Sequence, residues 1–141
     1  GQMGNCRAPS KRDIQRALVL PRALMKSTCF EDVYMENPFG SASKLTAAVG
    51  KPDMEVQPWW YGNLRDPRNA FTKRTGIWAG THNVSTAEAP ARENWGGQQA
   101  RIRRAAEFMD LFGPGQKERE FAREATPPGL SAALARHLLC A

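Results

Sequence analysis

Apolar residues along this chain keep a helical spacing near both ends and lose all periodicity in the middle. Ile14, Ala17 and Leu18 stand at i, i+3 and i+4, which places them on one face of a helix. Ser10 is suited to cap that helix, with Asp13 as the third residue of a short capping box. Pro21 kinks or ends it, because proline lacks an N–H and its ring crowds the preceding turn. Ala23, Leu24 and Met25 continue the helix for another turn or two. The pattern is mixed over 30–39, where Asn37-Pro38 and Gly40 read as a turn. Residues 43–49 read as two helical turns closed by Gly50 and Pro52.

Over 58–85 no period survives. Pro58-Trp59-Trp60-Tyr61-Gly62 is followed by Asp66-Pro67 and then by Gly76-Ile77-Trp78-Ala79-Gly80. At most one short strand pair fits, near residues 71–81. Aperiodic stretches of this length inside a domain usually mark function or a linker, and linkers are not aromatic-rich. Further on, Pro90 opens a helical stretch that Gly96-Gly97 interrupts. The most regular helix spans 98–112, with Ile102, Ala105, Ala106, Met109 and Phe112 on one stripe, and Gly113-Pro114-Gly115 stops it. A charged helical run follows over 116–125 with Phe121 as its anchor. After the break at Pro127-Pro128-Gly129, Leu130, Leu134 and Leu138 form a small amphipathic helix.

The pattern predicts a mainly α chain with extensive irregular or extended segments. Short helices flank a Trp/Pro/Gly-rich middle, there is at most one β-hairpin, and no compact regular fold results. Three segments emerge: a basic N-terminal helix with an acidic extended stretch (1–57), a Trp-rich docking segment (58–85) and a helical C-terminal segment (86–141). A length of 141 residues allows one domain at most.

Charge narrows the partners. The net charge of +6 and pI near 9.7 favour acidic ones: nucleic acid, anionic lipid at a peripheral contact, or acidic protein surfaces such as tubulin. Basic and acidic blocks alternate along the chain, which suits contact with several surfaces better than a single nucleic-acid face. Three cysteines, Cys6, Cys29 and Cys140, have an odd count and no C-x-x-C spacing. They read as reduced thiols of an intracellular compartment. No run of 18 apolar residues is present to span a membrane, and no signal-peptide core is seen. The absence of Met at position 1 suits a processed form or a short leader before Met3.

Candidate chemistry is sparse. Gly76-x-x-x-Gly80-Thr81 lacks the spacing and the lysine of a phosphate loop, and its glycines read as room for Trp78 to pack. His82 and His137 each stand without a second ligand at metal spacing, and no nucleophile motif appears, so no catalytic, cofactor or metal residue is assigned. Met3-Gly4-Asn5-Cys6 approaches a lipidation signal but has Ala8 where Ser or Thr belongs. Asn83-Val84-Ser85 matches a glycosylation triplet of a kind frequent by chance. Arg101-Ile102-Arg103-Arg104 could clamp phosphates, although Glu107, at i+4 from Arg103 and i+3 from Arg104, can neutralise either. Aromatic and arginine residues are enriched at interfaces. Trp59, Trp60, Tyr61, Arg65, Arg68, Trp78, Arg101 and Arg104 are therefore the candidate partner-binding residues. The expected function is a non-catalytic accessory subunit of a large multiprotein assembly of the organellar energy-converting type, mitochondrial or plastid. A microtubule-lining ciliary protein and an RNA-contacting organellar ribosomal protein are the alternatives; a small enzyme or a lipid-anchored effector fits less well.

Overall fold

A computed structural model describes residues 10–27, 29, 32–38, 50–81, 88–95 and 101–139. The proposed helix at 43–49, the Met3–Cys6 motif, His82, the Asn83 triplet and Cys140 lie outside the described residues. Among the described residues the chain is mixed α/β, with five helices and two small sheets, which corrects the mainly α expectation. No described helix is long and apolar enough to cross a membrane.

The N-terminal helix forms where the pattern places it. Ser10 accepts from the Asp13 amide at 3.1 Å while its own amide donates to the Asp13 carboxylate at 3.1 Å. The Ser10 hydroxyl, which donates to the same carboxylate at 2.7 Å, and then the Ser10 amide hold the Asp13 carboxyl below its ordinary range. Helix α1 covers Lys11–Ala17 and α2 covers Val19–Lys26. The break at Leu18 has a direct cause: Pro21 has no N–H to offer the Ala17 carbonyl four residues back. Leu18 is buried at that joint.

Strands β1 (Asp32–Pro38), β2 (Met54–Val56) and β4 (Thr75–Thr81) form an antiparallel sheet in the order β1-β4-β2. Tyr34 stands opposite Ala79, Met35 opposite Trp78 and Val56 opposite Thr75. Strand alternation in β4 is hidden in the sequence because Gly76 and Gly80 share a face with Trp78. A Cβ at Gly76 would stand 3.0 Å from the Trp78 ring, so glycine there makes room for the indole. The expected hairpin within 71–81 does not form. Strand β3 (Phe71–Thr72) leaves this sheet and pairs in parallel with β5 (Arg103–Arg104).

That parallel pairing overrides the 98–112 helix over its described part, 101–112, residues 98–100 lying outside the described residues. Residues 103–104 are extended, and helix α3 is confined to Ala105–Asp110. The 90–95 stretch is likewise not helical. Helices α4 (Gln116–Glu124) and α5 (Pro128–Leu139) follow. In α4 the anchor is Ala122, which is buried, whereas the neighbouring Phe121 is 73% exposed.

Two buried clusters hold these elements, against the expectation of no regular fold. Val56, Tyr61, Ile77, Leu130 and Ala133 form the first, where α5 meets the three-stranded sheet. Full burial of each large apolar side chain contributes about 1.5–3 kcal/mol. Phe71, Phe108 and Ala122 form the second. Phe71 and Phe108 stack with centroids 3.9 Å apart, and Phe112 meets Phe108 edge-on at 5.1 Å.

Candidate functional site

The Trp-rich turn is a built platform. Pro58–Trp60 forms one 3₁₀ turn with proline at its start, where a missing N–H costs nothing. Residues 90–95 are strapped across it. The Trp60 carbonyl accepts from the Glu93 and Asn94 amides, both at 2.9 Å. Asn94 is buried, and its side-chain Nδ2 donates to the Gly62 carbonyl at 2.7 Å and to that of Trp59 at 3.2 Å. The Tyr61 hydroxyl donates to the Pro90 carbonyl at 2.9 Å. Burial first, and then the nearby Glu93 charge, push the Tyr61 phenol up to about 12, with Arg92 opposing.

Helix α5 seats beneath the platform by close backbone approach. Gly62 has a φ of +82°, and a Cβ on it would stand 2.7 Å from the Gly129 Cα. A Cβ on Gly129 would stand 2.4 Å from the Tyr61 carbonyl oxygen. Asn69 bridges the junction: its Oδ1 accepts from the Gly129 amide at 2.8 Å and its Nδ2 donates to the Asn63 carbonyl at 3.0 Å. Glu93 accepts from the Gly62 amide at 2.8 Å and pairs with Arg136 of α5.

On the outer side of the platform Arg92 lies among three indoles. Its guanidinium carbon is 4.5 Å from the Trp59 ring centroid, 4.6 Å from Trp60 and 4.6 Å from Trp95. Each such contact is worth about 0.5–1 kcal/mol at an exposed site. The Arg92 Nε also donates to the Asn94 carbonyl at 2.7 Å, which fixes the fork between the rings. Trp95 remains 63% exposed.

No family model, curated protein or solved structure matches this chain.

The sequence-selected residues are distributed unevenly around this platform. Trp59 and Trp60 are half-buried against Arg92, whereas Tyr61 and Trp78 belong to the interior. The Trp78 indole donates to the Gly50 carbonyl at 3.0 Å. Arg68 is held by Asp66 at 2.7 Å. Glu107 pairs with Arg104 and also with Arg101, both at 3.2 Å. Arg103 does not take the expected helical pairing, because at 103 the chain is strand and the four-residue helical spacing does not apply. Arg65 and Arg101 are brought together with Arg103 in an open cleft whose floor includes Leu64 and Pro67.

Asn94 and Trp95 were not selected by sequence reasoning. Their signal was the fourth tryptophan, set three residues after an arginine and beside an asparagine able to bridge backbone groups. A second concavity, an apolar groove of about 230 Å³, runs between Phe71, Phe108, Phe112 and Phe121, with Arg68 at its rim. Among the described residues no three His, Cys, Asp or Glu side chains gather as a metal site.

Proposed function

We propose that this chain is a non-catalytic accessory subunit of a multiprotein assembly, docked through uncovered aromatic side chains held on a rigid frame. The observation that carries this reading is the pairing of exposure with immobilisation. Trp95 is 63% exposed, yet it stacks on an Arg92 that Trp59, Trp60 and Asn94 already fix. A pre-ordered indole loses little conformational entropy when a partner covers it, and aromatic residues of this kind dominate interface energetics. Phe121, 73% exposed above an apolar groove, extends the same character to α4.

The test is native-size fractionation of extract from the source cell, following the full-length chain and its Trp95→Ala and Phe121→Ala variants. The expected result is co-migration with a large complex, weakened about tenfold or more by a variant that removes an anchor worth at least 1.4 kcal/mol. Both side chains are exposed, so the free variants should still fold, with Trp95→Ala losing no more than the roughly 0.5–1 kcal/mol of its Arg92 contact. Migration of the wild type as a free 15.6 kDa chain would overturn the proposal, as would variants that stay fully assembled.

A further inference from the structure

The arginine cleft supports an inference that does not depend on the aromatic docking surface. Two segments far apart in sequence build it. Asn63, Asp66 and Asn69 shape consecutive turns through the Asp66 amide on the Asn63 carbonyl (3.1 Å) and the Asn69 amide on the Asp66 carbonyl (3.0 Å). These turns hold Leu64, Arg65 and Pro67 in place. The other wall arrives with β5, whose Arg103 amide donates to the Ala70 carbonyl at 2.9 Å, so Arg101 and Arg103 stand against the turns. The resulting hollow, about 340 Å³ and open to solvent, is lined by Leu64, Arg65, Pro67, Arg101 and Arg103.

The charge pairing here is lopsided. Asp66 is engaged by Arg68, and Glu107 serves both Arg101 and Arg104. The two guanidinium neighbours hold the Glu107 carboxyl below its ordinary range, with Arg104 the stronger influence. Arg65 and Arg103 make no ion pair among the described residues. Two unneutralised arginines thus face one hollow beside a third whose carboxylate is shared. Like charges gathered by secondary structure repel one another, and an anion seated between them would relieve that repulsion.

We propose that the cleft of Arg65, Arg101 and Arg103 binds the phosphate backbone of a single-stranded nucleic acid. Guanidinium forks match phosphate oxygens bidentately. Leu64 and Pro67 give the hollow an apolar floor on which a sugar or base face can lie. Its openness suits a phosphate carried on a polymer, which enters from the side, better than an enclosed small anion. A net charge of +6 draws a polyanion toward the chain over longer range.

The experiment is fluorescence anisotropy of the full chain with a labelled oligouridylate of about 12 nucleotides, titrated between about 50 and 200 mM salt. The expected result is saturable binding that weakens steeply with salt. The double variant Arg65→Ala/Arg103→Ala should lose about tenfold in affinity and flatten the logarithmic salt slope by about 1.4. Arg65→Glu, a change at an exposed position, provides a second variant that leaves folding undisturbed and should weaken binding at least as much. The control Arg12→Ala/Arg16→Ala removes the same charge from the exposed face of α1 and should cost less than threefold. Four outcomes would overturn the proposal: no binding at low salt, unchanged binding by the cleft variants, an equal loss in the α1 control, or poly-glutamate of matched charge competing as well as the oligonucleotide. The last would assign the cleft to an acidic protein instead.

Discussion

Replacing Asn94 should loosen the whole Trp platform, and the size of the effect follows from its hydrogen bonds. Its Nδ2 spends both protons on backbone carbonyls, those of Gly62 and Trp59, at 2.7 and 3.2 Å. The residue is only 9% exposed, so water cannot readily replace the donor in Asn94→Ala. A buried hydrogen bond contributes about 1–1.5 kcal/mol net, and a stranded acceptor raises that cost. The variant should therefore lose about 2–3 kcal/mol, a large share of the roughly 5–15 kcal/mol typical of a domain. With a urea m-value of about 1–2 kcal/mol/M, the midpoint should fall by about 1–3 M. Tryptophan fluorescence is the natural readout, since Trp59, Trp60 and Trp95 all report on Arg92. The near-isosteric Asn94→Asp is the sharper variant. At neutral pH it keeps the volume but turns a carboxylate oxygen toward two carbonyls, so it should be less stable than Asn94→Ala. An unchanged midpoint for the alanine variant, or an aspartate variant more stable than it, would refute the reasoning.

Two further outcomes follow from the same region. Gly129→Ala forces a Cβ to within 2.4 Å of the Tyr61 carbonyl oxygen; because backbone cannot swing aside, the loss should reach about 3 kcal/mol or more in thermal or urea unfolding, and a neutral substitution would contradict the close seating of α5. The Tyr61 phenol is raised to about 12 in the folded chain, whereas an unfolded tyrosine ionises near about 10. The folded state therefore binds more protons between these values, and stability falls as pH rises through that window, by about 2–3 kcal/mol at its upper end. Tyr61→Phe should abolish this alkaline contribution, and equal alkaline losses in wild type and variant would show that the phenol is not held by burial.

The parts of the fold legible in the sequence were those decided locally. Ser10 and Asp13 announce their helix through cap chemistry, Pro21 marks the interruption after Ala17, and Leu130 and Leu134 trace the inner side of α5. What stayed hidden was decided by partners distant in sequence. The alternation of β4 is masked because two of its same-face positions are glycines. Arg103 and Arg104 carry a pattern that continues smoothly into a helix, yet pairing with Phe71 and Thr72 makes them strand. Phe121 looked like an anchor by hydrophobicity, but the stack of Phe71 on Phe108 accepts the smaller Ala122 instead. At the site, tryptophan content pointed to 58–62, while the strap that organises it arrives from about thirty residues downstream.

The close seating of α5 on the Trp turn also bears on how the chain comes off the ribosome. Val56, Tyr61 and Ile77 share their cluster with Leu130, which is synthesised some fifty residues after Ile77. At about 5–20 residues per second that interval lasts roughly 3–10 s. Through those seconds the nascent sheet carries an uncovered apolar face, and the glycine pocket that will receive Gly129 stands open. Until Leu130 is made, that face is exposed to non-specific association, the general hazard of a core closed by the last helix.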